Sequence, residues 1–102
     1  MISYKSVFTF TLFIFTSLLS AQNNQEVVIE TQQLSDNVYM LTGQGGNIGV
    51  CVGDQGIFMI DDQFARLTPK ILEAIKTLSD KPVQYLINTH YHGDHTGGNE
   101  NI

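Results

Sequence analysis

The chain contains 102 residues, of which 42% are hydrophobic and 15% are charged, and its formal net charge is −5. This composition is typical of a chain that buries a core, and it excludes the polar, charge-rich class of disordered proteins. The acidic balance provides no basic surface that could follow a phosphate backbone, so we expect no nucleic acid partner. Cys51 is the only cysteine, which excludes an internal disulfide and predicts a small, buried apolar residue in a strand.

The first 21 residues differ in composition from the rest of the chain. Lys5 is followed by an apolar run from Val7 to Leu19, and small residues end the segment at Ala21. An uncleaved membrane anchor is the alternative to a secretory signal, but a membrane span needs about 20 apolar residues and this run is shorter. The sequence therefore predicts a signal peptide over residues 1–21 and an exported domain over residues 22–102, periplasmic or secreted, without a stable membrane anchor after cleavage.

Short apolar runs bounded by turn-forming residues come next in the chain, and each run is typical of a strand. The two loops between the last three runs, Gly43–Asn47 and Gly53–Gly56, are short enough for antiparallel hairpins with positive-φ residues at the bend. The predicted strands are Val27–Glu30, Val38–Thr42, Ile48–Val52 and Ile57–Asp61.

The residue pattern then changes from a strand period to a helical period. Thr68 is predicted to cap a helix of about three turns, with Pro69 at its first position. The mostly apolar run Val83–Asn88 is typical of an interior strand. A strand, a crossover helix and a second strand predict a parallel pair, and the fold class is α/β (α+β). The apolar stripe of the helix consists of Ile71, Leu72, Ile75 and Leu78, whereas Lys70, Glu73 and Lys76 face away.

All three histidines of the chain lie within the segment Thr89–Asn99, directly after the last predicted strand. Residues two apart in an extended segment point the same way, so His90 and His92 can converge on one ion. A sharp turn at Gly93 is predicted to bring Asp94 and His95 to a neighbouring position. Imidazole and carboxylate are ligands that zinc takes in proteins. A histidine tag or a surface tract that scavenges metal would lack the spaced aspartate and the preceding strand.

The segment His90–His95 resembles the H-x-H-x-D-H signature of the metallo-β-lactamase superfamily, and the similarity runs from about Val38 to the end of the chain. The resemblance implies the N-terminal half of an αββα sandwich. It also implies that His90 and His92 bind a first zinc ion, and that Asp94 and His95 bind a second. Asp61 matches an aspartate that supports the metal loop through hydrogen bonds without binding metal, and Asp62 is the weaker candidate for that role.

The activity implied by the resemblance is hydrolysis of a small molecule by a metal-bound hydroxide, with Asp94 as the catalytic residue that orients the nucleophile. One or two zinc ions are expected, and two in a full-length protein. The substrate classes left open are esters, thioesters, lactones, β-lactams and phosphoesters. The export signal favours a β-lactam or another ester or amide outside the cytoplasm. The Gly43–Asn47 loop is either a flap over the substrate or a simple turn.

The sequence departs from the family pattern because no histidine follows His95. Family members supply a later histidine, a bridging aspartate and a final histidine. We therefore expect this chain to be the N-terminal part of a longer hydrolase, with little or no activity by itself. The alternative is a non-catalytic, truncated remnant that binds metal. DNA downstream of the codon for Ile102 would separate the two, since only the hydrolase needs an open frame with further ligands.

Overall fold

The computed structural model describes residues 26–102. The predicted signal peptide, residues 1–21, lies outside the described residues. Within the described range, no helix has both the length and the apolar character needed to cross a membrane.

A single five-stranded sheet forms the centre of the described chain, and its strands follow one another in sequence order. The first four strands pair antiparallel as a meander, and the fifth pairs parallel with the fourth. The predicted meander and the predicted parallel pair are therefore confirmed. The strands are β1 (Glu30–Gln33), β2 (Val38–Thr42), β3 (Ile48–Val52), β4 (Ile57–Ile60) and β5 (Val83–Ile87).

The crossover between β4 and β5 contains a 3₁₀ turn, Ala65–Leu67, that leads directly into helix α1, Thr68–Lys76. After β5 the chain forms a short helix α2, Gly93–Thr96, which contains two of the predicted ligands, Asp94 and His95. The histidine segment thus follows the carboxyl end of β5, as predicted.

The hydrophobic core lies between α1 and one face of the sheet. Burying a large aliphatic side chain contributes about 1.5–3 kcal/mol, so this layer contact is the main source of stability in the described chain. The buried members are Leu41, Ile48, Val50, Ile57, Met59, Leu67, Ile71 and Ile75.

The opposite face of the sheet carries apolar side chains that no described element covers. Phe58 and Ile60 on β4 are 40% and 43% exposed, and Tyr85 and Ile87 on β5 are 60% and 48% exposed. The rings of Phe58 and Tyr85 pack against each other with their centroids 5.1 Å apart. A sheet normally buries its apolar face against another layer, so this face is an open layer of the fold.

The predicted first strand, Val27–Glu30, is wrong. The strand is Glu30–Gln33, which pairs with β2 at the exposed edge of the sheet. Its side chains are polar because all four residues are exposed, and the pairing depends on backbone hydrogen bonds. Val27 instead packs against the core, and its carbonyl accepts a hydrogen bond from Lys70 Nζ at 2.7 Å.

The start of α1 also differs from the prediction. Thr68 is not the cap, because the preceding 3₁₀ turn already places its backbone in the helical region, and Leu67 takes the cap position without a side-chain hydrogen bond. Leu72 was assigned to the apolar stripe but is 36% exposed at the surface. Leu72 follows the completely buried Ile71 by one residue, which places it about 100° further round the helix.

Two further strand predictions need correction. The run Val83–Asn88 is not an interior strand in the described chain, because β5 ends at Ile87 and lies at the edge of the sheet. Cys51 is in a strand as predicted, but it is only half-buried, because its register partner Phe58 is on the open face. At the bends, Gly45 has a positive φ of 88°, whereas the Gly53–Gly56 turn has no positive-φ residue.

Candidate metal site

The candidate site lies where β4 and β5 end side by side. The two strands are parallel, and the backbone N–H of Asp61, just after β4, donates to the carbonyl of Ile87 at the end of β5 at 2.8 Å. Loops at the carboxyl ends of parallel strands meet at one edge of a sheet, which is where open α/β sheets place their sites. The segments Asp61–Phe64 and Thr89–His95 therefore become neighbours although they are far apart in sequence.

The structure brings all four predicted metal ligands together. The imidazole centroids of His90 and His92 are 4.7 Å apart, and those of His90 and His95 are 4.0 Å apart. Asp94 Oδ2 lies 3.5 Å from His95 Nε2. The three rings and the carboxylate thus occupy one small region at the sheet edge.

Asp61 is the buried acceptor beneath this cluster. Its side chain is almost fully buried, and its Oδ2 lies 2.7 Å from His95 Nδ1. The backbone N–H of Thr89 donates to Oδ1 at 2.7 Å, and the Thr89 hydroxyl donates to Oδ2 at 2.7 Å. Burial by itself raises the pKa of Asp61, but the hydrogen bonds from His95 and Thr89 outweigh it and hold that pKa below its usual value. The group is therefore an ionised carboxylate over the ordinary pH range.

These contacts decide which ring nitrogens remain free. His95 Nδ1 is occupied by Asp61, and His90 Nδ1 lies 2.8 Å from the Thr89 hydroxyl. The Nε2 atom of each ring is then the one left to bind a cation, since a partner on one imidazole nitrogen fixes the role of the other.

Asp62 has a different task from Asp61. It is completely buried, its Oδ1 accepts from the Gly98 N–H at 2.9 Å, and its own N–H donates to the carbonyl of His95 at 3.0 Å. Burial raises the pKa of Asp62 above its usual value, the nearby charge of Asp61 adds to this, and the Gly98 hydrogen bond opposes it. Asp62 thus anchors the backbone after α2, and only Asp61 contacts the ring of a predicted ligand.

The predicted sharp turn at Gly93 takes a form that does not require glycine. His92 is extended, with φ −63° and ψ 143°, and α2 starts at Gly93 without a positive φ. A Cβ at Gly93 would have no neighbour within 4 Å. The change from extended backbone at His92 to helical backbone at Gly93 places Asp94 and His95 near the other ligands. A residue with a side chain could adopt the same conformation at position 93.

Sequence reasoning missed one residue of the site, Gln63. This side chain is completely buried and donates from Nε2 to the carbonyl of Gly46 at 2.5 Å. The loop that it contacts, Gly43–Asn47, lies directly against Asp94 and His95: a Cβ at Gly45 would be 2.7 Å from Asp94 Cβ, and one at Gly46 would collide with the His95 ring. The only signal in the sequence is that Gln63 belongs to the polar run Asp61–Gln63 after β4. This run does not indicate which residues Gln63 contacts.

The chemistry of the donors suits a zinc ion, because imidazole nitrogens and a carboxylate oxygen are gathered with Nε2 atoms free. Within residues 26–102, however, no group of three or more His, Cys, Asp and Glu side chains has the arrangement of a complete metal site. The 3.5 Å between Asp94 Oδ2 and His95 Nε2 is close to the separation of two ligands on one zinc ion, but these two atoms alone do not complete a site. The described residues therefore form an incomplete donor set.

The sheet with its parallel end pair, together with the H-x-H-x-D-H segment at that end, is the arrangement of a metallo-β-lactamase class of fold. The sequence profile of the metallo-beta-lactamase superfamily matches residues 34–102, and the chain belongs to this superfamily. Its members bind metal ions, usually zinc, and act on small-molecule substrates. No curated protein matches the chain.

A similar solved structure is a mutant of FEZ-1, the metallo-beta-lactamase from Legionella gormanii. The two chains are 22% identical and superpose with a TM-score of 0.66, and the match covers 76% of this chain. At this identity the likeness shows the fold alone. The match covers 30% of the FEZ-1 chain, so this chain corresponds to less than half of that protein's length.

Proposed function

We propose that this chain is the N-terminal part of an exported, zinc-dependent hydrolase that acts on a small-molecule ester, thioester, lactone or β-lactam. The observation that carries the proposal is the placement of three imidazoles and Asp94 at the carboxyl edge of β4 and β5, above the buried Asp61. Membership of a superfamily whose members are typically hydrolases supports the same function.

The residues that would hold zinc are His90 and His92 for one ion, and Asp94 and His95 for a second. The chemistry that zinc supplies when bound is a lowering of the pKa of its bound water to about 7, together with polarisation of the bond to be cleaved. The protein's own part is orientation: Asp61 fixes the ring of His95, and Thr89 fixes the ring of His90.

Asp94 is the residue that we assign to proton handling. Its side chain is partly open to solvent, with 35% of its surface exposed, so a water and a substrate can both reach Oδ2. In this role Oδ2 accepts a hydrogen bond from the attacking water, orients it, and takes up its proton as the water adds to the carbonyl carbon. Asp61 is not suited to this role, because it is almost fully buried and its two oxygens already accept three hydrogen bonds.

The remaining ligands and the second layer of the fold are proposed to come from a longer parent protein. Two observations support this: the match covers 30% of the FEZ-1 chain, and apolar side chains of β4 and β5 are open on one face of the sheet. The parent would cover that face and supply further imidazole and carboxylate ligands. Residues 1–21 are proposed as its signal peptide, which would direct the enzyme to the periplasm or out of the cell.

The test is hydrolysis of a substrate panel by the zinc-loaded parent protein, with and without a chelator. The panel contains chromogenic β-lactam, thioester and lactone substrates. We expect one class to be hydrolysed, activity to disappear on chelation, and D94N to lower kcat by about 10²–10⁴-fold, the usual contribution of a positioned proton acceptor. The matched control is E100Q, which removes an exposed carboxylate just after the histidine segment and should retain full activity.

A non-catalytic metal-binding remnant is the second candidate function. It is favoured by the incomplete donor set within residues 26–102. The same panel, applied to the natural product of the gene, separates the two candidates: a remnant binds zinc in an equilibrium titration but hydrolyses no substrate, whereas the hydrolase does both. Hydrolysis that survives thorough chelation would contradict both candidates.

A further inference from the structure

The loop Gly43–Asn47 between β2 and β3 carries no side chain where it meets the candidate ligands. Gly45 adopts a φ of 88°, which favours glycine, and a Cβ there would be 2.7 Å from Asp94 Cβ and 3.2 Å from the Phe64 ring. A Cβ at Gly46 would collide with the imidazole of His95. Only backbone can fit between the neighbouring strands and these side chains, so the loop packs on the ligands by its peptide groups.

Gln63 holds this loop from below. Its Nε2 donates to the Gly46 carbonyl at 2.5 Å, and its Oε1 lies 3.4 Å from the backbone N of Gln44, which donates to it. The single amide group of Gln63 therefore binds the loop on both sides of Gly45: it accepts from the Gln44 N–H and donates to the Gly46 carbonyl. Glutamate would lose the donor, and the side chain of asparagine is shorter by one methylene.

The backbone of Gln63 is kept in an unfavourable conformation for this purpose. Its φ is 59°, in a region that costs a residue with a side chain about 1–2 kcal/mol. Such conformations persist where surrounding contacts determine them, and they cluster at functional sites. Here the contacts are close: a Cβ at Gly97, just after α2, would lie 2.7 Å from the Gln63 carbonyl oxygen.

A second contact to the loop, from Arg66 to the side chain of Gln44, lies at the protein surface. Water competes with an exposed contact of this kind, so it contributes little to the position of the loop. The buried amide of Gln63 is consequently the main restraint. Removing the partner of a buried carbonyl costs more than the net value of the bond, because the carbonyl is left without a donor.

We propose that Gln63 is a positioning residue that clamps the Gly43–Asn47 loop onto Asp94 and His95, so that the loop forms a fixed wall of the substrate site. The expected effect of this loop on substrate binding rests on the proposed hydrolase function. The restraint of the loop by Gln63 does not depend on that function. A fixed wall contacts the bound substrate and the transition state alike, so its loss raises KM and leaves kcat nearly unchanged.

The test compares Q63E with Q84E in the zinc-loaded parent protein, using two measurements. Gln84 is a fair control because its side chain also packs against a glycine turn, at Gly56 on the far end of the sheet. In Q63E we expect amide hydrogen exchange of residues 43–47 to accelerate about tenfold or more, with exchange in β3 and β4 unchanged. We expect KM to rise about tenfold, with kcat changed by less than about threefold.

A second variant, G46A, keeps the test decisive if Q63E does not fold. The added methyl collides with the His95 ring, so the loop should move and reproduce the faster exchange and the higher KM while Gln63 stays in place. The proposed role of Gln63 is overturned if amide hydrogen exchange of residues 43–47 is the same in Q63E and Q84E. It is also overturned if exchange in Q63E accelerates evenly over the whole chain. A G46A variant with the wild-type KM and exchange overturns it as well. If the parent hydrolyses nothing, the proposed function fails and the exchange measurement alone decides the clamp.

Discussion

Replacing Asp61 by asparagine tests how the buried carboxylate controls the zinc-binding nitrogen of His95. The asparagine side chain of D61N would keep an oxygen for the Thr89 N–H but present an NH₂ group to His95 Nδ1, which in the wild type faces a carboxylate oxygen at 2.7 Å. His95 Nδ1 must then accept rather than donate, so the ring proton moves to Nε2. That proton blocks the nitrogen assigned to the metal.

The size of the effect follows from the hydrogen bonds that the substitution weakens. Asp61 Oδ2 accepts two hydrogen bonds as a charged group, from the Thr89 hydroxyl and from His95, and in D61N these are replaced by neutral bonds in which the NH₂ group donates. Charged acceptors contribute about 1 kcal/mol more per bond, so D61N should lower the free energy of unfolding by about 2 kcal/mol. Losing the orienting partner of a ligand weakens metal binding about 10- to 100-fold.

The stabilising effect of Asp61 should also depend on pH in a defined direction. Its pKa is held below the usual 3.8, so the folded state binds protons less readily than the unfolded state. The contribution is therefore fully present above about pH 4 and is lost as the pH falls below 3.8 towards the lowered pKa. D61N should remove this part of the acid dependence.

The assays for D61N are competition titration of zinc against a chromophoric chelator and urea unfolding across the acid range, both on the parent protein. D54N is the matched control, since it makes the same change at an exposed turn on the far end of the sheet. Zinc affinity equal to that of the wild type, alongside a decrease in stability, would refute the proposed tautomer control and leave Asp61 with a structural role only.

Three other variants test separate parts of the structure. D62N retains an oxygen for the Gly98 N–H but removes a buried carboxyl group whose pKa is raised, so it should increase the free energy of unfolding at pH 7. This gain should vanish when the pH falls below 3.8, the usual pKa of the group, and an equal gain at pH 7 and below pH 3.8 would contradict this. G93A should leave the free energy of unfolding unchanged or raise it by up to about 1 kcal/mol, because Gly93 has an ordinary φ and open space; a large decrease would show that glycine is required there. I71A should cost about 2–5 kcal/mol in urea unfolding and L72A less than about 1 kcal/mol, because Ile71 is completely buried and Leu72 is at the surface; similar costs would refute the assigned core.

The regular part of the fold could be predicted because its signals are local. Strand period, turn glycines and the switch to a helical period are all read within a few residues, and β2, β3 and α1 lie close to where those patterns place them. Errors arose where a distant contact decides. β1 is shifted because pairing with β2 outweighs the apolar preference of Val27, and Thr68 loses its capping role to the 3₁₀ turn before it.

The site divides in the same way. The histidine segment could be recognised because its ligands lie within a few positions and follow a strand, so their clustering needs no knowledge of distant contacts. The role of Gln63 could not be predicted, since its partners lie 17 and 19 residues away in the preceding loop. Nor could sequence show that Asp62 anchors Gly98, because two adjacent aspartates look alike until the backbone between β4 and α1 is known.

The most direct test of zinc binding by the histidine segment is anomalous diffraction at the zinc edge from crystals of the zinc-loaded parent protein. We expect anomalous peaks beside this segment, with one peak about 2.0–2.1 Å from imidazole nitrogens of His90 and His92 and another at a similar distance from His95 Nε2. Crystals soaked in ample zinc that show no peak at these nitrogens would contradict the assignment of the site.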